Sequence, residues 1–284
     1  MRTLFHITTQ SAWKQAQVDG QYVTPSLESE GFIHFSRPHQ VLKTASRFFK
    51  GQTDLALLQI SEEKLNSPIK YELSDGENFP HLYGPLNLDA VITAHAFDVT
   101  QETPQLPMGL TLIDTTLIRI AHLGDESELA SAHTHAWMQS YRGLVPDALL
   151  DGRPLNFRNR QSQWRYVLSS PPQPKAIVAE SADHGIIGFC TIEPARDEWM
   201  QDALEIPAFY LLDGYKGKGM GAGILLEALQ YIKARGSKRA YLWVLKNNSR
   251  AITFYQKLGG KLMAQEKTVD IGGPQVEVGF EWKL

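Results

Sequence analysis

The sequence predicts a mixed α+β and α/β protein in two domains, on three observations. A stretch with two prolines, polar residues and no sustained periodicity, "VTQETPQLPMG" (99–109), separates two segments that each read as complete. Past it, runs with strand alternation take turns with runs at helical spacing, the pattern of a mixed sheet with helices on its faces. Within that second segment, "GYKGKGMGAGILLEAL" (214–229) sets five glycines in ten positions directly ahead of an apolar helix. Glycine costs roughly 0.5–1 kcal/mol in a helix, so this density at a helix start points to something that must approach the backbone closely. Residues 1–104 are expected to form a small α+β domain, about 99–112 a linker, and 113–284 a second domain with a mixed sheet flanked by helices.

Composition bounds the function. At 284 residues, with 43% hydrophobic and 21% charged residues, the chain has enough material for two ordinary globular cores. No apolar run approaches the roughly 18 residues of a bilayer span, and the opening "MRTLFHITTQSAW" meets polar residues too soon for a signal peptide, so a cytoplasmic location and no membrane partner are expected. The single cysteine, Cys190 in "IIGFCTI", excludes an internal disulfide framework and a thiolate zinc cluster, and reads as a buried small hydrophobe. Residues 1–104 hold 8 basic against 12 acidic side chains and the remainder 20 against 19, so neither half has the basic excess of a nucleic-acid binder.

In chain order, the first domain carries three histidine-bearing stretches, "LFHIT", "EGFIHFS" and "NFPHLYGPL". Strand alternation puts Leu4, His6 and Thr8 on one face, and Phe32, His34 and Ser36 opposite Ile33 and Phe35. Their intervals carry no recognised metal-ligand spacing, so no metal is expected. In the second domain "TLIRIA" reads as a strand, with Asp125 as N-cap of a helix through Tyr141 that lines up Leu129, His133, Ala136, Trp137 and Tyr141. His133 is expected to pack and His135 to face solvent; "SSPPQPK" has the proline density of an extended surface loop. "KAIVAES" and "GIIGFCTIEP" flank the hairpin turn "ADHG". Next come a strand "LEIPAFYLLD", the glycine loop, and a helix with Leu225, Ala228, Leu229 and Ile232 on one face, ending at Gly236. "RAYLWVL" is a buried strand, Asn248 caps a helix stopped by Gly259 and Gly260, and "EKTVDIGGPQVEVGFEWKL" is a second hairpin.

The glycine loop separates three phosphate-binding devices. A nucleoside triphosphatase loop needs Ser or Thr after Gly-Lys, and Lys218 is followed by Gly219. A dinucleotide fold needs G-x-G-x-x-G/A, which Gly217, Gly219 and Ala222 satisfy, but also an acidic residue about 20 positions on, where "YLWVLKNN" has none. The third is the pyrophosphate cradle of acyl-coenzyme A transferases, in which main-chain N–H groups point inward at a helix start. Lys216-Gly217-Lys218-Gly219-Met220-Gly221 resembles the Gln/Arg-x-x-Gly-x-Gly/Ala signature of the Gcn5-related N-acetyltransferase (GNAT) family, with lysine in first place. "NNSRAITFYQKLGGK" looks like that family's next helix, through Asn248, Ala251 and Tyr255, and "AWMQSYRGLVPDALL" is similar to its first-helix region.

That resemblance spans nearly all of residues 113–284 and implies acetyl-coenzyme A as cofactor and a small-molecule or peptide amine as acceptor. It implies coenzyme contacts from Phe209, Tyr210, Leu211, Lys216, Gly217, Lys218, Gly219, Met220, Gly221, Ala222 and Asn248, with the Leu211 N–H supporting the oxyanion. Tyr255 is the implied general acid, and Trp137 and Tyr141 approach the acceptor. Glu205 is the candidate base, with a solvated strand end as its bland alternative; the following strand has Trp243 where some members carry a glutamate. Residues 6–97 resemble the domain-of-unknown-function family 952, grouped with the ADP-ribosyltransferase-like fold, which implies a cleft for NAD or ADP-ribose around His6, His34, Ser36 and His81, with Glu72 and Glu77 as the nearby carboxylates. The expected activity is acetyl transfer to an amine; a non-catalytic acyl-coenzyme A sensor and a nicotinamide oxidoreductase are the alternatives.

Overall fold

Strand alternation decides the first unit's architecture at once: β1 (Thr3–Thr9) is buried along nearly its whole length, sending Leu4 into one apolar cluster and Phe5 and Ile7 into another. The computed structural model describes residues 2–74, 76–151, 157–171 and 176–284, and the chain divides into two units, Met1–Leu117 and Ile118–Leu284. In the first unit β1 is followed by α1 (Gln10–Asp19), β2 (Gln21–Tyr22), α2 (Pro25–Ser29), β3 (Ile33–His34), α3 (Val41–Phe48), β4 (Leu55–Ser61), β5 (Ile69–Ser74), β6 (Glu77–Leu82), β7 (Leu86–Asn87) and β8 (Val91–Phe97). One antiparallel sheet has the order β1-β4-β8, a second β3-β6-β5, and β2 pairs with β7. The Thr9 hydroxyl caps α1 by accepting from the Ala12 N–H at 3.0 Å.

The proline-bearing segment expected to be a linker is partly core. Val99 and Leu110 are buried with Phe5, Leu57, Phe97 and Leu117, so the first unit ends beyond the prolines. The division falls within β10 (Thr116–Ile120), the second strand of a hairpin with β9 (Leu110–Ile113).

The second unit continues with α4 (Glu126–Tyr141), α5 (Asp147–Asp151), α6 (Phe157–Ser169), β11 (Ala176–Ser181), β12 (Gly185–Thr191), β13 (Glu193–Pro194), β14 (Ala203–Glu205), β15 (Phe209–Leu211), α7 (Met220–Ala234), β16 (Arg239–Leu245), α8 (Ser249–Lys257), β17 (Lys261–Asp270) and β18 (Pro274–Lys283). Two sheets run in the orders β15-β12-β11-β10 and β13-β14-β16-β18-β17. Residues 172–175 of the proline-rich stretch read as a surface loop lie outside the described residues. No helix among the described residues is long and apolar enough to cross a membrane.

Two local expectations need correction. Asp125 does precede α4, yet its side chain caps nothing there: it is fully buried, and its carboxylate accepts from Arg119 Nη1 at 2.7 Å and Nη2 at 2.8 Å. Arg119 also donates to Glu180 at 2.6 Å, so a buried charge network outcompetes the cap. "LEIPAFYLLD" is two strands in two sheets: β14 pairs in parallel with β16, and β15 antiparallel with β12. Pro207 sits at the break and has no N–H to offer either neighbour.

Candidate active site

The break opens a wedge. The last link to β16 is the Ile206 N–H donating to the Tyr241 carbonyl at 2.8 Å, after which the chain turns to β12. There the Thr191 N–H donates to Ala208 and the Leu212 N–H to Ile187, both at 2.9 Å, with Tyr210 opposite Phe189. Antiparallel pairing alternates, so Ala208, Tyr210 and Leu212 turn their main chain toward β12, and Phe209 and Leu211 turn theirs away. As β15 is the sheet edge, the Leu211 N–H points into the wedge. Phe209 packs beside Phe254 and Tyr255, with ring centroids 5.8 and 6.1 Å away, while Tyr210 faces His133 and Tyr141 on the opposite side.

The glycine loop closes one end of this wedge. Gly217 and Gly219 have φ of 83° and 88°, left-handed conformations that side chains resist. Among the described residues, no main-chain N–H from Gly217 to Ala222 meets an acceptor within the protein; the first bond of the helix is Gly223 to the Gly219 carbonyl at 3.0 Å. These are the unpaired donors every helix start possesses, extended upstream by the loop and reinforced by the helix dipole. Buried Met220 anchors the turn. Gly221 is closely packed: a Cβ there would lie 3.3 Å from the Phe254 ring, which would have to shift by a few tenths of an ångström. Lys216 is paired with Asp213 at 2.6 Å, and Lys218 Nζ stands 5.6 Å from the Tyr215 ring centroid.

A cleft of about 610 Å³ runs through the wedge. On the α7 and α8 side its walls include Lys216, Gly217, Ala222, Asn248, Arg250 and Tyr255; on the α4 side they include Gln139, Tyr141, Trp243, Leu245 and Glu277. Asn248 does cap α8, its Oδ1 accepting from the Ala251 N–H at 3.1 Å. Tyr255 is buried against Phe280 and Trp282, and burial pushes its hydroxyl pKa up, so it keeps its proton. Tyr141 and Tyr210 are raised by the same cause. Trp137 packs behind Tyr141, centroids 5.1 Å apart, in a cluster with Val145, Leu150 and Leu245, away from the cleft wall.

Glu205, the expected base, lies outside the cleft wall: it is 1% exposed, Arg196 Nε donates to its Oε2 at 2.9 Å, and the Tyr241 hydroxyl donates at 3.1 Å. A carboxylate so committed is a structural anchor for β14. The cleft wall carries a different glutamate, Glu277 on β18. Its position beside Val276 and Val278 indicated only that it faces away from Val278; that this face meets a cleft depends on where β16 and α4 pack. Arg250 was missed for the same reason. His133 is packed among Trp164, Phe189 and Tyr210, accepts from Arg160 at 2.8 Å, and has its pKa lowered by burial to about 3. His135 is exposed. Burial pushes the Cys190 thiol up to about 12, which makes it inert.

In the first unit the four expected cleft residues do not share a cleft. His6 is interior, with Nδ1 at 2.7 Å from the His34 carbonyl and Nε2 at 2.8 Å from the Tyr22 hydroxyl; burial lowers its pKa to about 4. Ser36 is buried, bridged through its main chain to Phe5, with its hydroxyl 3.3 Å from Thr44. His34 and His81 are opposite each other on the outward face of β3-β6-β5, where Phe32 stacks on His81 at 4.1 Å and Glu72 accepts from His81 Nδ1 at 2.8 Å. Glu77 is held by Lys43 at 2.7 Å.

Comparison with known proteins bears on both units. Residues 134–260 match the model of the acetyltransferase (GNAT) family, and residues 7–94 that of a protein family of unknown function, DUF952. The uncharacterized N-acetyltransferase YuaI of Bacillus subtilis (strain 168) is 26% identical over 165 residues, 58% of this chain and 91% of that one. The spermidine N(1)-acetyltransferase of Thermoplasma acidophilum is 23% identical over 146 residues, 51% of this chain and 88% of that one. The crystal structure of protein CC0527 from Caulobacter crescentus is 34% identical, covers 37% of this chain and 94% of that one, and superposes with a TM-score of 0.35.

Proposed function

We propose that this chain, an N-acetyltransferase by the GNAT domain it carries, moves the acetyl group of acetyl-coenzyme A to a primary amine by direct attack. The observation that carries the proposal is the run of six bare amides from Gly217 to Ala222 at the mouth of the wedge. Such a run suits the two phosphates of a pyrophosphate, and Arg250 adds positive charge on the same side. The open edge of β15 suits an extended arm that ends at Leu211. When bound, the coenzyme supplies a thioester carbonyl open to attack by an amine.

The Leu211 N–H supports the carbonyl oxygen as charge grows on it. Tyr255 donates its proton to the leaving sulfur and takes back the proton that the nitrogen sheds on becoming an amide. Tyr141 shapes the acceptor side, for a small-molecule or peptide amine in the cytoplasm. Spermidine is the first acceptor to try, on the relative's named activity. The test is release of free thiol from acetyl-coenzyme A with spermidine and a panel of primary amines; amine-dependent release is expected. Binding with no release by any amine supports a sensor instead, and stabilisation by NAD with none by coenzyme A supports an oxidoreductase.

For the first unit we propose NAD or an ADP-ribose moiety on the outward face of β3-β6-β5. Phe32, stacked on His81, offers an aromatic platform, and Glu72 and Glu30, paired with His81 and His34, are carboxylates beside it. Titration of the full chain with NAD and ADP-ribose by calorimetry tests it: heat that is lost in Phe32→Ala is expected, and no heat with either at millimolar ligand rejects it.

A further inference from the structure

Glu205 and Glu277 lie on one side of the second sheet of the acetyltransferase unit, together with Glu193 opposite Glu205 and Glu281 opposite Tyr241. Glu205 is opposite Tyr241 across the parallel pair, and Glu277 is opposite Leu245 across the antiparallel pair, so both side chains lie on the side that carries Tyr241, Trp243 and Leu245. That side also meets the aromatic cluster of Trp137 and Tyr141 from α4. Their partners differ. Arg196 neutralises Glu205 through two hydrogen bonds. Glu277, with 15% of its side chain exposed, lines the cleft and makes a looser ion pair, 3.6 Å from Lys267 Nζ, which itself stands over the Trp243 ring at 4.3 Å.

We infer that Glu277 receives the acceptor as an ammonium ion and takes the proton that frees its lone pair, so that the acceptor class is a cationic primary amine. The inference rests on the acetyl-transfer reading above. Lys267 already places an ammonium beside this carboxylate, and an incoming amine would bring a second one from the cleft side. Glu277 accepts one proton from the ammonium, leaving a neutral amine. The nitrogen lone pair then forms the bond to the acetyl carbon as the carbon–sulfur bond breaks with its electrons on sulfur. Tyr255 exchanges one proton for another, and the proton on Glu277 passes to water. The reaction thus yields one amide, one thiol and one proton. The charged groups that act on Glu277 are Lys267 on β17, Arg196, and Glu205 on β14, with Tyr141 facing it from α4; burial, the largest influence, raises its pKa toward that of a base able to hold a proton.

The test uses Glu277→Gln in the full chain with two nucleophiles. Spermidine is protonated at neutral pH and needs a base; hydroxylamine is largely unprotonated there and does not. With Glu277→Gln we expect kcat/KM for spermidine to fall at least tenfold, hydroxylamine acetylation to stay within about threefold, and the affinity for acetyl-coenzyme A to hold. Spermidine turnover within threefold of the parent, or an equal fall for both nucleophiles, overturns the assignment of Glu277. A parent enzyme that acetylates hydroxylamine but not spermidine overturns the cationic acceptor alone. A parent that binds acetyl-coenzyme A yet acetylates neither nucleophile overturns the acetyl-transfer reading together with this one.

Discussion

His6 in the first unit and Leu211 in the second are both buried residues on the end strand of a sheet, yet the molecule treats their polar groups in opposite ways. Both ring nitrogens of His6 have partners 2.7 and 2.8 Å away inside the core. The Leu211 N–H and the amides from Gly217 to Ala222 are left without such partners, beside a cleft that Leu211, Gly217, Gly219, Gly221 and Ala222 line. A histidine advertises chemistry by its type, and here that chemistry is already used up in holding β1 to Tyr22 and His34. Leucine and glycine advertise none, and their main chain is what the cleft presents. Satisfaction of hydrogen-bonding groups separates the two regions better than residue type does.

Removing what each region relies on should affect that region alone. The largest effect is expected at Tyr255→Phe: kcat for acetyl transfer falls about 100-fold while coenzyme affinity changes less than twofold, as steady-state kinetics and calorimetry would record. In the first unit, the unfolded chain protonates His6 near pH 6.5 whereas the fold keeps it neutral down to about 4. Its contribution to stability is therefore complete above about pH 6.5 and drains as pH falls. The loss amounts to about 2 kcal/mol between pH 7 and pH 5, and denaturant titrations at the two pH values should show His6→Gln flattening that dependence by about this amount. Next, Gly219→Val forces a branched side chain into a left-handed φ; coenzyme A affinity is expected to fall about tenfold, with no change in any ligand response of the first unit. Smallest is His135→Ala, expected to leave both kcat and melting temperature nearly unchanged, since its ring is exposed, bonds its own helix at Ser131 and stands 5.7 Å from the likewise exposed Phe157 ring.

Much of this was legible in the sequence. The loop from Lys216 to Ala222, the Asn248 cap and both glycine-closed hairpins follow from local chemistry, and local chemistry is what a sequence displays directly. The break at Pro207 was half visible: proline marks the spot, but that β14 joins β16 while β15 joins β12 is a matter of long-range pairing. Asp125 and Glu205 were misread because their partners, Arg119 and Arg196, are brought to them by sheet register and a strand turn, and no spacing rule encodes either. Glu277 went unnoticed because alternation says which side of β18 it occupies without saying what covers that side.

The proposed function requires that the amides of the glycine loop and of Leu211 bind an acetyl carrier. Hydrogen exchange of the full chain with and without coenzyme A reads those amides directly. Slower exchange confined to Leu211 and residues 217–222, absent in Gly219→Val, is the expected result. Coenzyme A that binds while these amides exchange as fast as before would contradict it.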